Sequence, residues 1–242
     1  MGVINYNGIS STDLGLIIQT IPSYDFPEKD LEYVHVNGRN GDIIQNNKSF
    51  NNITRTYYIA KVYRRGETFI ESANKIAEWL HSSDTYCKLE DSYEPDYYRM
   101  AIFKDEGRLQ DYYEQATTLE ISFDCKPQKW LKTGDESKLI GNGLTLTNPT
   151  NFDAYPTIEM DVIQDVTYQI NIGSYSITID KIPSSTHIII DCENMECYSL
   201  TENYNKYISL SNNEIPVLKK KSDTLITSTN NTAYIKPRWW TI

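Results

Sequence analysis

The hydrophobic pattern changes period along the chain, and the changes outline its elements. Residues 31–36 alternate apolar and polar side chains, as a half-buried strand does. They run into Asn37-Gly38-Arg39-Asn40-Gly41-Asp42, where two Asn-Gly pairs predict tight turns, because Gly and Asn tolerate positive φ. Residues 53–63, rich in Tyr, Ile, Val and Thr, predict a long strand. The period then becomes helical. Phe69, Ala73, Ile76 and Leu80 form an apolar stripe with Ile70 and Ala77 beside it, and Thr68 with Glu71 makes a capping box. Glu67, Glu71 and Glu78 are expected on the solvated side, and the stripe is expected against the protein's own sheet rather than a partner.

Strands are predicted at 86–89, 97–104 and 118–125. In the last, Leu119, Ile121, Phe123 and Cys125 face one way and Glu120, Ser122 and Asp124 the other. Pro127 is expected to end it, having no N–H for a ladder. Residues 131–150 are polar and turn-rich, and predict a boundary. Beyond it no helical period recurs. Residues 157–162 alternate; 168–172 and 175–179 form a hairpin around Gly173 and Ser174; short strands follow near 187–191, 197–200, 207–210, 224–228 and 233–237. The expected architecture is mainly β: a β-sandwich with one α-helix over 1–130, a linker over 131–150, and a second β-sandwich over 151–242.

Composition narrows the function. With 242 residues there is room for two domains, and the formal charge of −10 disfavours general nucleic-acid binding. Acidity fits solubility, or the wall of a channel that DNA passes without sticking. No apolar run is long enough to span a membrane, and the opening residues lack the pattern of a secretory signal. Met1-Gly2 is read as a plain start, since Tyr6 stands where a myristoylation signal wants Ser or Thr.

The search for chemistry returns little. Four cysteines are few for a disulfide scaffold, and Cys192 with Cys197 is a poor metal signature, so reduced thiols are expected. His35, His81 and His187 are scattered, and no nucleophile elbow or phosphate-binding loop occurs. No catalytic residue, cofactor or metal site is assigned. Tyr198, Tyr204, Tyr207, Trp239 and Trp240 would suit either a sandwich core or a sugar-stacking platform, with Tyr198, Trp239 and Trp240 as the stacking candidates. Lys219-Lys220-Lys221 is read as a solvated turn.

Several segments, taken in order, resemble one family. The opening Tyr6-Asn7-Gly8-Ile9-Ser10-Ser11 with Leu14-Gly15 is similar to its start, and Gly38-Arg39-Asn40-Gly41-Asp42 to its early turn. Trp79-Leu80, Leu89-Glu90-Asp91, Tyr98-Arg99-Met100-Ala101 and Phe123-Asp124-Cys125-Lys126-Pro127 follow in the family's order. In the second half Ile190-Asp191-Cys192-Glu193-Asn194 with Tyr198, then Ile215-Pro216-Val217-Leu218, then Lys236-Pro237-Arg238-Trp239-Trp240 continue the match. The chain thereby resembles the distal tail proteins of siphophages that infect Gram-positive bacteria. Where similar proteins tend to carry Gly and then Asn, it has Lys221 and Asp223.

The resemblance implies a ring-forming first domain, a galectin-like second domain and a homo-hexamer at the distal end of the tail. It implies a virion protein assembled in the host cytoplasm, with neither sequence-specific nucleic-acid binding nor a membrane partner. The implied partners are the tail tube protein and a tail-associated lysin or fibre protein, with the tape measure protein, receptor-binding proteins and cell-wall carbohydrate as further candidates. Protomer contacts are expected at Gly38, Arg39, Asn40, Gly41 and Asp42, and along the 53–63 strand at Tyr57 and Tyr58. The rival readings are a carbohydrate-binding module that attaches a virion or secreted protein to the cell wall, and a hydrolase.

Overall fold

The structure is a computed structural model and describes residues 2–63, 65–104, 108–113, 116–200 and 202–242. The chain divides into two compact units, Met1–Lys129 with Ile242, and Trp130–Thr241. The first contains β1 (Ile4–Tyr6), β2 (Ile9–Ser10), β3 (Leu16–Ile18), β4 (Lys29–Val34), β5 (Ile43–Phe50), β6 (Ile53–Val62), α1 (Phe69–Leu80), β7 (Cys87–Asp91), β8 (Tyr97–Phe103), β9 (Arg108–Tyr113) and most of β10 (Ala116–Leu131).

The order β2-β1-β7-β8-β10-β6-β3 makes one curled sheet, with β9 also on β10. Its two ends meet where Gly2 bridges to Ile18. The backbone of the sheet is the β6–β10 pair, running from Ile53 opposite Cys125 to Val62 opposite Ala116. The alternation read from 118–125 sends Leu119, Ile121, Phe123 and Cys125 into the core, where they meet Tyr6, Tyr57, Ile59 and the buried side of α1. Phe123 sits at the centre of an aromatic cluster, 4.8 Å from the ring of Tyr6 and 6.1 Å from that of Phe103.

Helix α1 starts where its capping box predicts. The Thr68 side chain accepts from the Glu71 N–H, and the Glu71 carboxylate accepts from the Thr68 N–H. It buries Ile76, Trp79 and Leu80, each worth about 1.5–3 kcal/mol of transfer free energy. Trp79 also donates its indole N–H to the Tyr6 carbonyl, 3.1 Å away. Ile70, placed beside the stripe by spacing, is exposed. Glu67 is not solvated as expected: it pairs with the buried Lys61 ammonium, 2.8 Å away.

Two further expectations change. Pro127 does not end β10, which continues to Leu131. The register with β6 stops at Cys125, so no β6 carbonyl waits for an N–H at position 127. Residues 31–36 do not form a half-buried strand: among the described residues β4 pairs with β5 alone, and both are largely exposed. β5 carries no strand period of its own because residues 45–49 are polar and Asn-rich; pairing with β4 is what makes it a strand.

The second unit contains β11 (Lys138–Leu139), β12 (Leu144–Thr147), β13 (Thr157–Val162), β14 (Tyr168–Ile172), β15 (Tyr175–Ile179), β16 (Thr186–Asp191), β17 (Glu196–Tyr198), β18 (Ile208–Leu210), β19 (Asp223–Ser228), β20 (Tyr234–Lys236) and β21 (Trp240–Thr241). All but β21 form two sheets, β11-β20-β13-β16-β17 and β12-β19-β14-β15-β18, over one core. Inward residues alternate along each strand: Ile158, Met160 and Val162 from β13 oppose Ile170, Ile172, Ile177 and Ile179 of the other sheet. The hairpin at Gly173 and Ser174 forms as predicted, with Ile172 opposite Tyr175 and Gly173 at φ 57°. Residues 131–150, expected to be a linker, supply β11 and β12 to the two sheets of this unit.

Candidate functional site

The most unusual feature of the first unit is the β4–β5 arm. Tyr33 lies opposite Ile44, and Val34 opposite Ile43. Successive residues of a strand point to opposite faces, so one pair occupies each face. All four are exposed, Tyr33 by 64% and Ile44 by 57%. No third strand joins this two-stranded sheet among the described residues, and such a hairpin is marginal by itself. Its tip holds Gly38, Arg39, Asn40, Gly41 and Asp42, all exposed, with Gly38 at φ 80° and Gly41 at φ 76°. There the Arg39 N–H donates to the Val36 carbonyl, and His35 Nδ1 lies 3.1 Å from Asp42 Oδ1.

The arm is reached through residues 19–28, a segment without regular structure that exposes Ile21 and Phe26. A buried ion network fastens it. Arg55 donates to the Ser23 carbonyl and, at 3.2 Å, to Asp91, while Lys129 donates to the Tyr24 hydroxyl and to Glu94. Arg99 lies 3.7 Å from Glu94. Asp91 also accepts from the Tyr57 hydroxyl at 2.9 Å and from the N–H groups of Tyr93 and Glu94. Burial, and then the charge of Asp91, push the Tyr57 hydroxyl well above the usual phenol range.

These positions sort the contact candidates. The five tip residues stand together on the surface. Tyr57 is 1% exposed and part of the core, so its side chain offers nothing to a neighbour; Tyr58 points outward. The 53–63 strand is interior to its sheet, between β10 and β3. Nothing along the chain marks Tyr33, Val34, Ile43 and Ile44 as contact residues, because period-two alternation reads as core unless the second layer is known to be missing.

In the second unit the aromatic candidates separate. Trp239 is 4% exposed and packs in the sandwich core. Trp240 stacks on Phe152 with ring centres 4.4 Å apart and donates to the Asp153 carbonyl. Tyr198 borders an open cleft of about 400 Å³ on the outer face of the β13-β16-β17 sheet. Lys219 and Lys220 are held by Asp153, and Lys221 donates to the Pro149 carbonyl, so the lysine run is a fastened turn. All four cysteines are free thiols, and burial pushes those of Cys125, Cys192 and Cys197 up to about 12. Among the described residues no group of three or more His, Cys, Asp or Glu is placed to hold a metal ion, and no helix is long and apolar enough to cross a membrane.

No family model matches the sequence, and no curated protein matches it. Solved structures do. The SPP1 Dit protein, described as a paradigm of the hub adsorption apparatus in phages infecting Gram-positive bacteria, is 14% identical; the alignment covers 100% of both chains with a TM-score of 0.72. A chain of the phage p2 baseplate in its activated conformation is 11% identical over 97% of this chain and 96% of that one, with a TM-score of 0.57. The mainly β fold expected from the resemblance is the fold found.

Proposed function

We propose that this chain is the structural hub of a siphophage tail tip: a hexameric ring joining the tail tube to the tail-associated lysin or fibre and to receptor-binding proteins, without catalysis of its own. The observation that carries this is the full-length likeness to the SPP1 Dit hub protein. The arm supports it on physical grounds. It places apolar residues on both faces of an unsupported hairpin, and such surface is costly in water unless a neighbour covers it. A sister copy is the economical neighbour, and an arm on one protomer meeting a different surface on the next is the head-to-tail contact that closes a ring. The site in this reading is therefore Tyr33, Val34, Ile43 and Ile44 with the tip residues Gly38, Arg39, Asn40, Gly41 and Asp42. The virion location, the assembly in the host cytoplasm and the named partners follow from the same reading.

Native mass spectrometry with light scattering tests it. Six copies of the 28.0 kDa chain give about 168 kDa, or twice that for two stacked rings. The double substitution Tyr33→Asp, Ile44→Asp should leave the monomer's melting temperature within a few degrees and abolish the ring, since both side chains are exposed in the single chain. A wild-type protein that stays monomeric at high concentration, with and without the tube protein, would sink the proposal.

A further inference from the structure

The cleft beside Tyr198 has the build of a ligand site that the hub reading does not use. Register brings its floor together. Tyr198 on β17 lies opposite Ile189 on β16, which lies opposite Glu159 on β13. Two residues along β13, on the same face, Thr157 lies opposite Lys236 of β20. Over this floor stand Asp135 and Arg238, which complete the lining. Arg238 is held at φ 56°, a left-handed conformation that disfavours any residue with a Cβ. Its N–H donates to the Gly134 carbonyl at 2.8 Å, and its guanidinium reaches Glu193 at 2.6 Å and Asp191 at 3.5 Å. A strained arginine fastened at both ends over a cleft is the kind of local cost that sites tolerate.

The lining specifies a chemistry. Tyr198 and Ile189 give a flat, apolar strip. Glu159 pairs with Lys236, and Arg238 with Asp191 and Glu193 outside the lining, so within the lining Asp135 and Glu159 balance Lys236 and Arg238. A charged ligand would meet no net field of opposite sign there. A neutral, hydroxyl-rich ring needs none: its C–H face can lie on Tyr198 while its hydroxyls donate to the Asp135 and Glu159 carboxylates and exchange hydrogen bonds with Thr157. About 400 Å³ lies within the range of small-molecule sites. We propose that this sheet face binds a neutral saccharide, with Tyr198 as the stacking platform, Asp135 and Glu159 as acceptors, and Arg238 held in place as one wall of the cleft. The proposal is independent of ring formation, and it moves sugar binding away from Trp239 and Trp240.

Saturation-transfer NMR and titration of the full chain test it. The probes are glucose, galactose, rhamnose, N-acetylglucosamine and their common disaccharides, with glycerol 3-phosphate as the anionic control. At least one neutral sugar should saturate with a Kd of about 1 mM or tighter. Tyr198→Ala and Arg238→Gly should each weaken it at least about tenfold. Glycine accepts φ 56°, which offsets part of the lost ion pairing, and Asp191 keeps the N–H groups of Glu193 and Asn194, so Arg238→Gly should stay folded and decides the matter if Tyr198→Ala unfolds. Saturation by none of the sugars, binding unchanged in Arg238→Gly, or preference for glycerol 3-phosphate would each overturn the proposal. Native mass spectra of the same variants keep this separate from the hub: sugar binding can be lost with the ring intact, and the ring lost with sugar binding intact.

Discussion

At the scale of single residues, backbone geometry decides more than side-chain type. Gly15 sits at φ 69°, and a Cβ there would lie 2.6 Å from the Val62 carbonyl oxygen. That oxygen belongs to the backbone of β6, whose Val62 N–H already bonds to Gly15, so neither partner can move cheaply. Gly15→Ala should cost about 2–4 kcal/mol, the sum of a left-handed alanine and an overpacked contact, read as a lowered denaturation midpoint. A loss below about 0.5 kcal/mol would show that the loop relaxes. Lys221 is the converse case. It stands where the resembled family tends to carry glycine, and it adopts φ 51°, so the turn keeps the glycine conformation without the glycine. Tyr57 and Tyr58 show what a sequence can say at this scale: alternation puts them on opposite faces, and only the core reveals that Tyr57 is the buried one.

Among elements, the contrast lies between a sheet that is finished and an arm that is not. The segment leading to the arm is held by Arg55, Asp91, Glu94, Arg99 and Lys129, with Arg55 and Asp91 only 3% and 6% exposed at the side chain. Breaking a buried pair by removing one partner is expensive because the other charge stays behind in a poorly solvating site. Asp91→Ala strips Arg55 and the Tyr57 hydroxyl of an acceptor at once, and should destabilise the first unit by about 3–5 kcal/mol. Limited proteolysis should then cut within residues 19–28 sooner than in wild type; unchanged cleavage there would mean the network does not hold the segment. The helix and its cap were legible because the capping box and the 3.6-residue period are local. The network was not, because its members come from β6, β7, β8, β10 and the turn after β7.

For the whole molecule, two separate cores set the response to pH. Cys125 lies in the first core and Cys197 in the second, with Cys192 buried beside the latter. Their thiols titrate near 12 in the fold against 9.0 when exposed. Below pH 9 both states keep the proton and full stability is present. As pH rises from 9 towards 12 the unfolded chain ionises first, so stability falls across that window. Tyr57 adds to the fall above pH 10, because its hydroxyl is raised in the same sense. The urea midpoint should hold from pH 7 to 8.5 and drop by pH 10.5, and replacing the three cysteines by alanine should flatten the drop. A midpoint constant through pH 11 would contradict the burial of these groups.

Legible along the chain alone were the class of fold, the place of the helix, the two faces of the 118–125 strand and the family resemblance. These rest on local periods, caps and turn residues, which act between neighbours along the chain. Tertiary structure decided which alternating strand had a second layer and which did not, that residues 131–150 belong to a sandwich, and that Trp239 is buried while Tyr198 edges a cleft. Each of these depends on what packs against a strand from far away in sequence. A period of two records only that the faces of a strand differ, and not what will cover them.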